Sequence, residues 1–213
     1  SIVLINDNDQ FIDGVKILGT TNSHIIAHSK WPVITVKNRK PSKPVKIVLP
    51  LDLSHQSRSQ LCNAIALAKH YNSTIYLVSA VIGGIKVKDS RIFKTLKQIQ
   101  KTVIQNGINA EIKLYSRSEV PVYRRILEYA SEIDADLIMI MTHTESTTHD
   151  NYIGAVAHHV INEAPMPVLS LTYRAAFFSP DETMSFVDPL NILSDIRKTM
   201  IRKSGLSRFL IRR

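Results

Sequence analysis

The chain has 213 residues with 44% hydrophobic content, enough to bury a core, which excludes a chain disordered throughout. Its net charge of +9 is concentrated in Pro189 to Arg213, where seven basic residues face a single acidic one, Asp195, so the rest is too mildly basic for a nucleic-acid-binding face. No run reaches the ~18 apolar residues of a membrane-spanning helix and the start has no basic-then-apolar signal peptide; the single cysteine, Cys62, lies in an apolar helical pattern and reads as a core residue of a reducing compartment, so the expected location is cytoplasmic.

An internal repeat opens the chain. Ile2 to Val36 is echoed 135 positions later by Leu137 to Leu171, without a gap: Gly19, His24, Ile25, Pro32 and Val33 align with Gly154, His159, Val160, Pro167 and Val168. The second copy ends a unit that begins near Lys43, so the first copy is expected to be the end of a like unit whose start, roughly 90 residues, lies upstream of Ser1. Asn6-Asp7-Asn8-Asp9 has some of the spacing of a calcium loop, but Phe11 and the missing glycine break that pattern and leave a turn. Residues 1–38 therefore read as a strand-helix-strand remnant, and 39–44, with Pro41 and Pro44, as a linker.

From Val45 onward, apolar strand-like runs alternate with amphipathic helices, the signature of a parallel sheet with crossover helices. The strands read as Val45 to Leu51, Thr74 to Val81, Glu111 to Tyr115, Asp136 to Met141 and Pro167 to Leu171, each aliphatic enough to be covered on both faces. Ser57 to His70 and Ser90 to Gln105 show helical apolar spacing, Val122 to Ile133 and Ala155 to Asn162 supply two further helices, and Gly107 stands where a left-handed helix end is expected. The complete unit spans 45–174. Residues 175–213 form a basic tail, in which Ile192, Leu193, Ile196, Met200 and Ile201, then Leu206, Phe209 and Leu210, mark amphipathic helical stretches broken at Ser204-Gly205. Such a tail suits docking onto the protein itself or an oligomer partner, an unknown protein partner, or an anionic membrane surface; nucleic acid is the weakest reading.

Ligands of open parallel sheets collect outside the carboxyl ends of the strands, where the winding reverses. There the first strand ends Leu49-Pro50-Leu51-Asp52-Leu53-Ser54 and the fourth ends Met141-Thr142-His143-Thr144, with Gly154-Ala155 opening a helix nine residues on. These residues resemble the universal stress protein family, whose domains run strand, V-P-x-D-x-S, helix, and finish with G-x-x-G, nine residues, G-S/T and a helix. The resemblance covers the first half-domain and everything up to about Tyr173, but not the tail. It implies a flavodoxin-like, adenine-nucleotide α-hydrolase-like three-layer α/β sandwich with a five-stranded parallel sheet in the order 3-2-1-4-5. It also implies that fifth strands pair edge to edge, here Trp31 to Val36 with Pro167 to Leu171, as a homo-oligomer or a pseudo-dimer.

In nucleotide-binding members the aspartate meets the adenine end of ATP while glycines and a hydroxyl close on the phosphates. Carried over, the ATP site would comprise Asp52, Val78, Met141, Thr144, Gly154 and Ala155, of which only Asp52 and Gly154 keep the motif. Met141 and Thr144 replace the loop glycines, and Ala155 has no hydroxyl to donate. In the first copy Gly19-Thr20 is kept, but Asn6 and Asp9 stand at the glycine positions, and a carboxylate ~4 Å from phosphate costs roughly 4 kcal/mol at an effective dielectric near 20. The expectation is a vestigial site, weak or absent ATP binding, no required cofactor, and a non-enzymatic stress-response scaffold. The alternatives are an ATP-binding stress protein with slow ATPase activity and a cytosolic regulatory domain of a membrane assembly. His143, His149, His158 and His159 invite a metal, but adjacent histidines on a helix diverge by about 100° and no cysteine or carboxylate completes a site, so no metal is expected. No nucleophile elbow or phosphate-binding lysine loop is present, and no catalytic residue is assigned.

Overall fold

The computed structural model describes residues 2–6, 10–12, 15–17, 19–37, 42–52, 56–80, 91–116, 119–142 and 153–172. The linker residues 38–41, the loop holding Thr144, His143 and His149, and the tail from 173 onward lie outside them. In chain order the elements are β1 (Val3–Asn6), β2 (Gln10–Ile12), β3 (Val15–Ile17), α1 (Thr20–His28), β4 (Val33–Val36), β5 (Lys46–Pro50), α2 (Gln56–Tyr71), β6 (Thr74–Ala80), α3 (Arg91–Gln105), β7 (Ala110–Tyr115), α4 (Val122–Glu132), β8 (Leu137–Met141), α5 (Ala155–Glu163) and β9 (Val168–Leu171).

Seven strands form one sheet in the order β1-β4-β9-β8-β5-β6-β7. Its strands pair in parallel except β4 with β9, which run antiparallel with Val33 opposite Ser170, Ile34 opposite Leu169 and Thr35 opposite Val168. β2 and β3 form a separate antiparallel hairpin, which the strand-helix-strand reading of residues 1–38 did not include; the turn read at Asn6 to Asp9 lies largely outside the described residues.

Period-two alternation sends the strand side chains into two apolar layers. Ile47, Leu49, Leu77, Met139 and Leu169 pack on one face with Leu61, Cys62 and Ile65 of α2 and Leu96, Ile99 and Val103 of α3. Val48, Val78, Ile138, Ile140 and Val168 pack on the other with Ile126 and Tyr129 of α4, Val160 and Ile161 of α5, and Ile26 of α1. Helices on both faces make three layers, the arrangement that lets parallel strands be apolar throughout. Gly107 ends the turn after α3 at φ +78°, which a side chain would strain.

Two stretches of backbone 135 positions apart are alike. At an offset of 135, α1 and β4 have the same bounds as α5 and β9. Gly19 and Gly154 begin the two helices with φ near −55° and ψ near 147°. Val3 N–H donates to Pro32 O at 2.9 Å just as Ile138 N–H donates to Pro167 O at 3.0 Å. The surroundings differ. Leu137 and Met139 are 5% and 0% exposed beneath α2, whereas their counterparts Ile2 and Leu4 are 48% and 61% exposed on the outer strand of the sheet. Trp31 is half exposed while its counterpart Met166 is buried.

The start of β5 is held by Asp136, whose Oδ2 accepts the backbone N–H of both Val45 and Lys46 at 2.9 Å. Lys46 Nζ in turn donates to Ile133 O at 2.8 Å, closing α4 and β8 onto the first turn of β5.

Candidate functional site: the crevice at the strand ends

β5 and β8 stay paired only through Ile47 opposite Leu137 and Val48 opposite Ile138, while β5 and β6 continue to Pro50 opposite Val78. Past Val48 the two strands part, because their following connections leave toward opposite faces of the sheet: α2 covers one face and α5 the other. Such a parting is the standard ligand crevice of an open α/β sheet. It opens here into a cavity of 410 Å³, within the range of small-molecule sites.

The walls come from the ends of β5, β6, β7 and β8 and from the first turns of α2 to α5. Asp52 stands at its mouth, exposed, with the buried Ser57 donating its hydroxyl to Oδ1 at 2.7 Å. Val78 and Ile140 line it from the sheet. Met141 is 6% exposed; it packs in the layer beneath α2 and shows one side to the cavity. Gly154 and Ala155 line it at the start of α5, where no side chain caps the helix and the first backbone N–H groups carry the positive end of its dipole. Thus Asp52, Val78, Met141, Gly154 and Ala155 converge on one cavity, and Thr144 lies outside the described residues.

Among the described residues, five further polar ones line the cavity. Besides Ser57, Gln60 reaches from α2 across the parting strands, its Nε2 donating to Pro50 O and Met139 O, each at 2.9 Å. Ser79 Oγ donates to Leu51 O at 2.7 Å and ties β6 to the end of β5. Arg125 of α4 donates from Nη1 to Glu128 Oε2 at 3.2 Å, and its guanidinium carbon lies 5.5 Å from the Tyr115 ring centre. Burial pushes the Tyr115 phenol up in pKa, Glu132 and Glu128 add to that, and Arg125 opposes it, so the phenol is a neutral donor at pH 7. A polar residue inside the apolar stripe of α2 was the available signal for Gln60, and a basic residue one step from Ile126 on α4 was the signal for Arg125.

His158 and His159 sit side by side on α5, with Tyr123 stacked on His159 at 4.2 Å and His159 Nδ1 paired with Glu163 at 3.0 Å. Among the described residues no cluster of three or more metal-ligating side chains forms.

A sequence profile described as the universal stress protein family matches residues 45–171, well over half of the chain and the whole span that builds the crevice. The chain belongs to the universal stress protein family. This universal stress protein is 28% identical, over 138 residues, to one from Methanocaldococcus jannaschii, a match covering 58% of this chain and 79% of the other. A solved universal stress protein from Archaeoglobus fulgidus shares 28% identity at a TM-score of 0.50 and covers 59% of this chain and 97% of its own. A larger one from the same organism shares the fold at a TM-score of 0.62 and 17% identity, covering 81% of this chain; this chain spans 60% of that one. No helix among the described residues is long and apolar enough to cross a membrane.

Proposed function

We propose that this universal stress protein is a non-enzymatic regulatory scaffold in the cytoplasm, active in stress responses through protein contacts and only weakly dependent on ATP. The observation that carries this reading is the phosphate end of the crevice. The helix that should close on a phosphate begins Gly154-Ala155, with no hydroxyl at either residue and no side-chain cap, and the sheet contributes Val78, Ile140 and Met141 to the same cavity. A triphosphate placed there gains the helix dipole, worth about 0.3–1 kcal/mol, but no hydroxyl hydrogen bond from position 155.

The antiparallel β4–β9 ladder supports reading the protein as a pseudo-dimer of a tandem chain, the first copy represented by its last strand-helix-strand portion. It occupies the β9 edge, which would otherwise be open to other chains. Further partners would then use the basic tail, either a protein or an anionic membrane surface.

A second reading, an ATP-binding stress protein with slow ATPase activity, draws on the cavity's size and on Asp52 at its mouth. A solved universal stress protein is in complex with cAMP, but at 20% identity it shares only the fold with this chain. Isothermal calorimetry with ATP separates the readings. No heat at millimolar ATP is expected; a micromolar dissociation constant lost in Asp52→Ala would overturn the scaffold reading.

A further inference from the structure

The cavity's polar lining divides into groups already committed to the scaffold and two charged residues. Gln60 spends its amide N–H groups on the Pro50 and Met139 carbonyls, Ser79 its hydroxyl on Leu51, and Ser57 its hydroxyl on Asp52. Among the described residues, the charged ones on the wall are Asp52 and Arg125. Arg125 is oriented from two sides, by Glu128 on Nη1 and by the Tyr115 ring face. A guanidinium presents several donors in a planar fork suited to the two oxygens of an acid group. The surfaces of Val78, Ile126, Ile140 and Met141 offer a carbon body the rest of the space.

We propose that the cavity binds a small apolar molecule carrying one acidic group, held at Arg125, with its hydrocarbon part against the sheet. This deepens the preceding proposal and rests on it: a crevice that no longer grips a triphosphate keeps a cation on α4, a different wall from the helix start that would receive phosphates. One acidic group would share the guanidinium with Glu128. Each further negative charge would have to lie in the same cavity as the Asp52 carboxylate, which disfavours polyanions. A neutral apolar molecule would strip water from the guanidinium without giving it a new acceptor.

The test uses the full chain with three probes: the fluorescent aromatic sulfonate 8-anilinonaphthalene-1-sulfonate, octanoate as competitor, and 1-octanol as the uncharged control. The expected result is one dye site per chain, displaced by octanoate at concentrations at least tenfold below those needed with octanol. A charge-assisted hydrogen bond of about 1.5–3 kcal/mol corresponds to about 10- to 150-fold in affinity. Arg125→Gln should remove that preference for octanoate and leave octanol unchanged, and Arg125→Lys should keep part of it. Equal competition by octanoate and octanol, dye binding indifferent to Arg125→Gln, or no dye site at all overturns the proposal. So does a dye signal abolished by Leu4→Asp, which would place the dye on the exposed face of β1. If Arg125→Gln does not fold, the octanoate-to-octanol ratio on the unaltered chain still decides. Micromolar ATP binding lost in Asp52→Ala, together with an intact octanoate preference, would instead sink the scaffold reading and leave the acid site standing.

Discussion

Replacing Gln60 by leucine tests whether the crevice is held open by the side chain that spans it. Gln60 is 3% exposed, and its Nε2 serves two carbonyls, Pro50 O on β5 and Met139 O on β8, beyond the last β5–β8 residue pair. Leucine has similar volume and no donor, so both oxygens lose their partner while packing is retained. Leaving a buried acceptor unpaired costs about 1–3 kcal/mol. Met139 O is fully enclosed and bears that cost whole, whereas water entering the cavity can reach Pro50 O, so the expected loss is about 2–4 kcal/mol. With an m-value near 2 kcal/mol/M, the urea midpoint followed by far-UV circular dichroism should fall by about 1–2 M. Gln60→Glu, which sets a carboxylate against both oxygens, should be at least as damaging at pH 7. A midpoint within about 0.3 M of the unaltered chain for Gln60→Leu, at an unchanged slope, would refute the assignment and mean that the strands part without help.

The two repeats provide an internal control: Leu4→Asp on the exposed face of β1 should cost less than about 0.5 kcal/mol, and Met139→Asp at the equivalent buried position more than about 4. Thermal unfolding measures both, and a comparable loss at position 4 would show that the β1 face is covered in solution. Stability should decline at both ends of the pH range. Burial, then the neighbouring His159, lowers the His158 pKa below 6.5, so the unfolded chain takes up protons first and stability falls as pH drops through that value. Burial pushes Tyr129 up to about 12 and raises Tyr76 and Tyr115, so unfolded phenols ionise first and stability also falls as pH rises past 10. Urea midpoints across pH read both limbs; His158→Gln should flatten the acid one, and an unchanged acid limb in that variant would contradict the histidine's part.

Long aliphatic strands were plain in the sequence because burial on both faces needs unbroken runs such as Leu137 to Met141. The residue matches at an offset of 135 were equally plain, and α1 and α5 have bounds at that same offset. The β2–β3 hairpin was not, because strands of three residues have no measurable period. Asp52, Val78, Met141, Gly154 and Ala155 were assembled through the resemblance and do line one cavity. Gln60 and Arg125 were passed over for a physical reason. Gln60 lies inside the apolar stripe of α2 and Arg125 beside that of α4, and whether a long polar side chain there turns into a crevice depends on what the sheet opposite leaves unfilled.

The antiparallel ladder between β4 and β9 also bears on how the chain folds. Every other pairing in the large sheet joins residues nearer in sequence, whereas Val33 and Ser170 are drawn from almost opposite ends of the described chain. Closing a loop of that length costs roughly 4 kcal/mol beyond the constant term, before any contact forms. The strands from β5 to β9 can assemble over shorter loops, so the first copy should arrive last, onto an edge already in place. During that interval β9 is bare, and the speed of this final step sets how long a nascent chain can be captured by a stray strand.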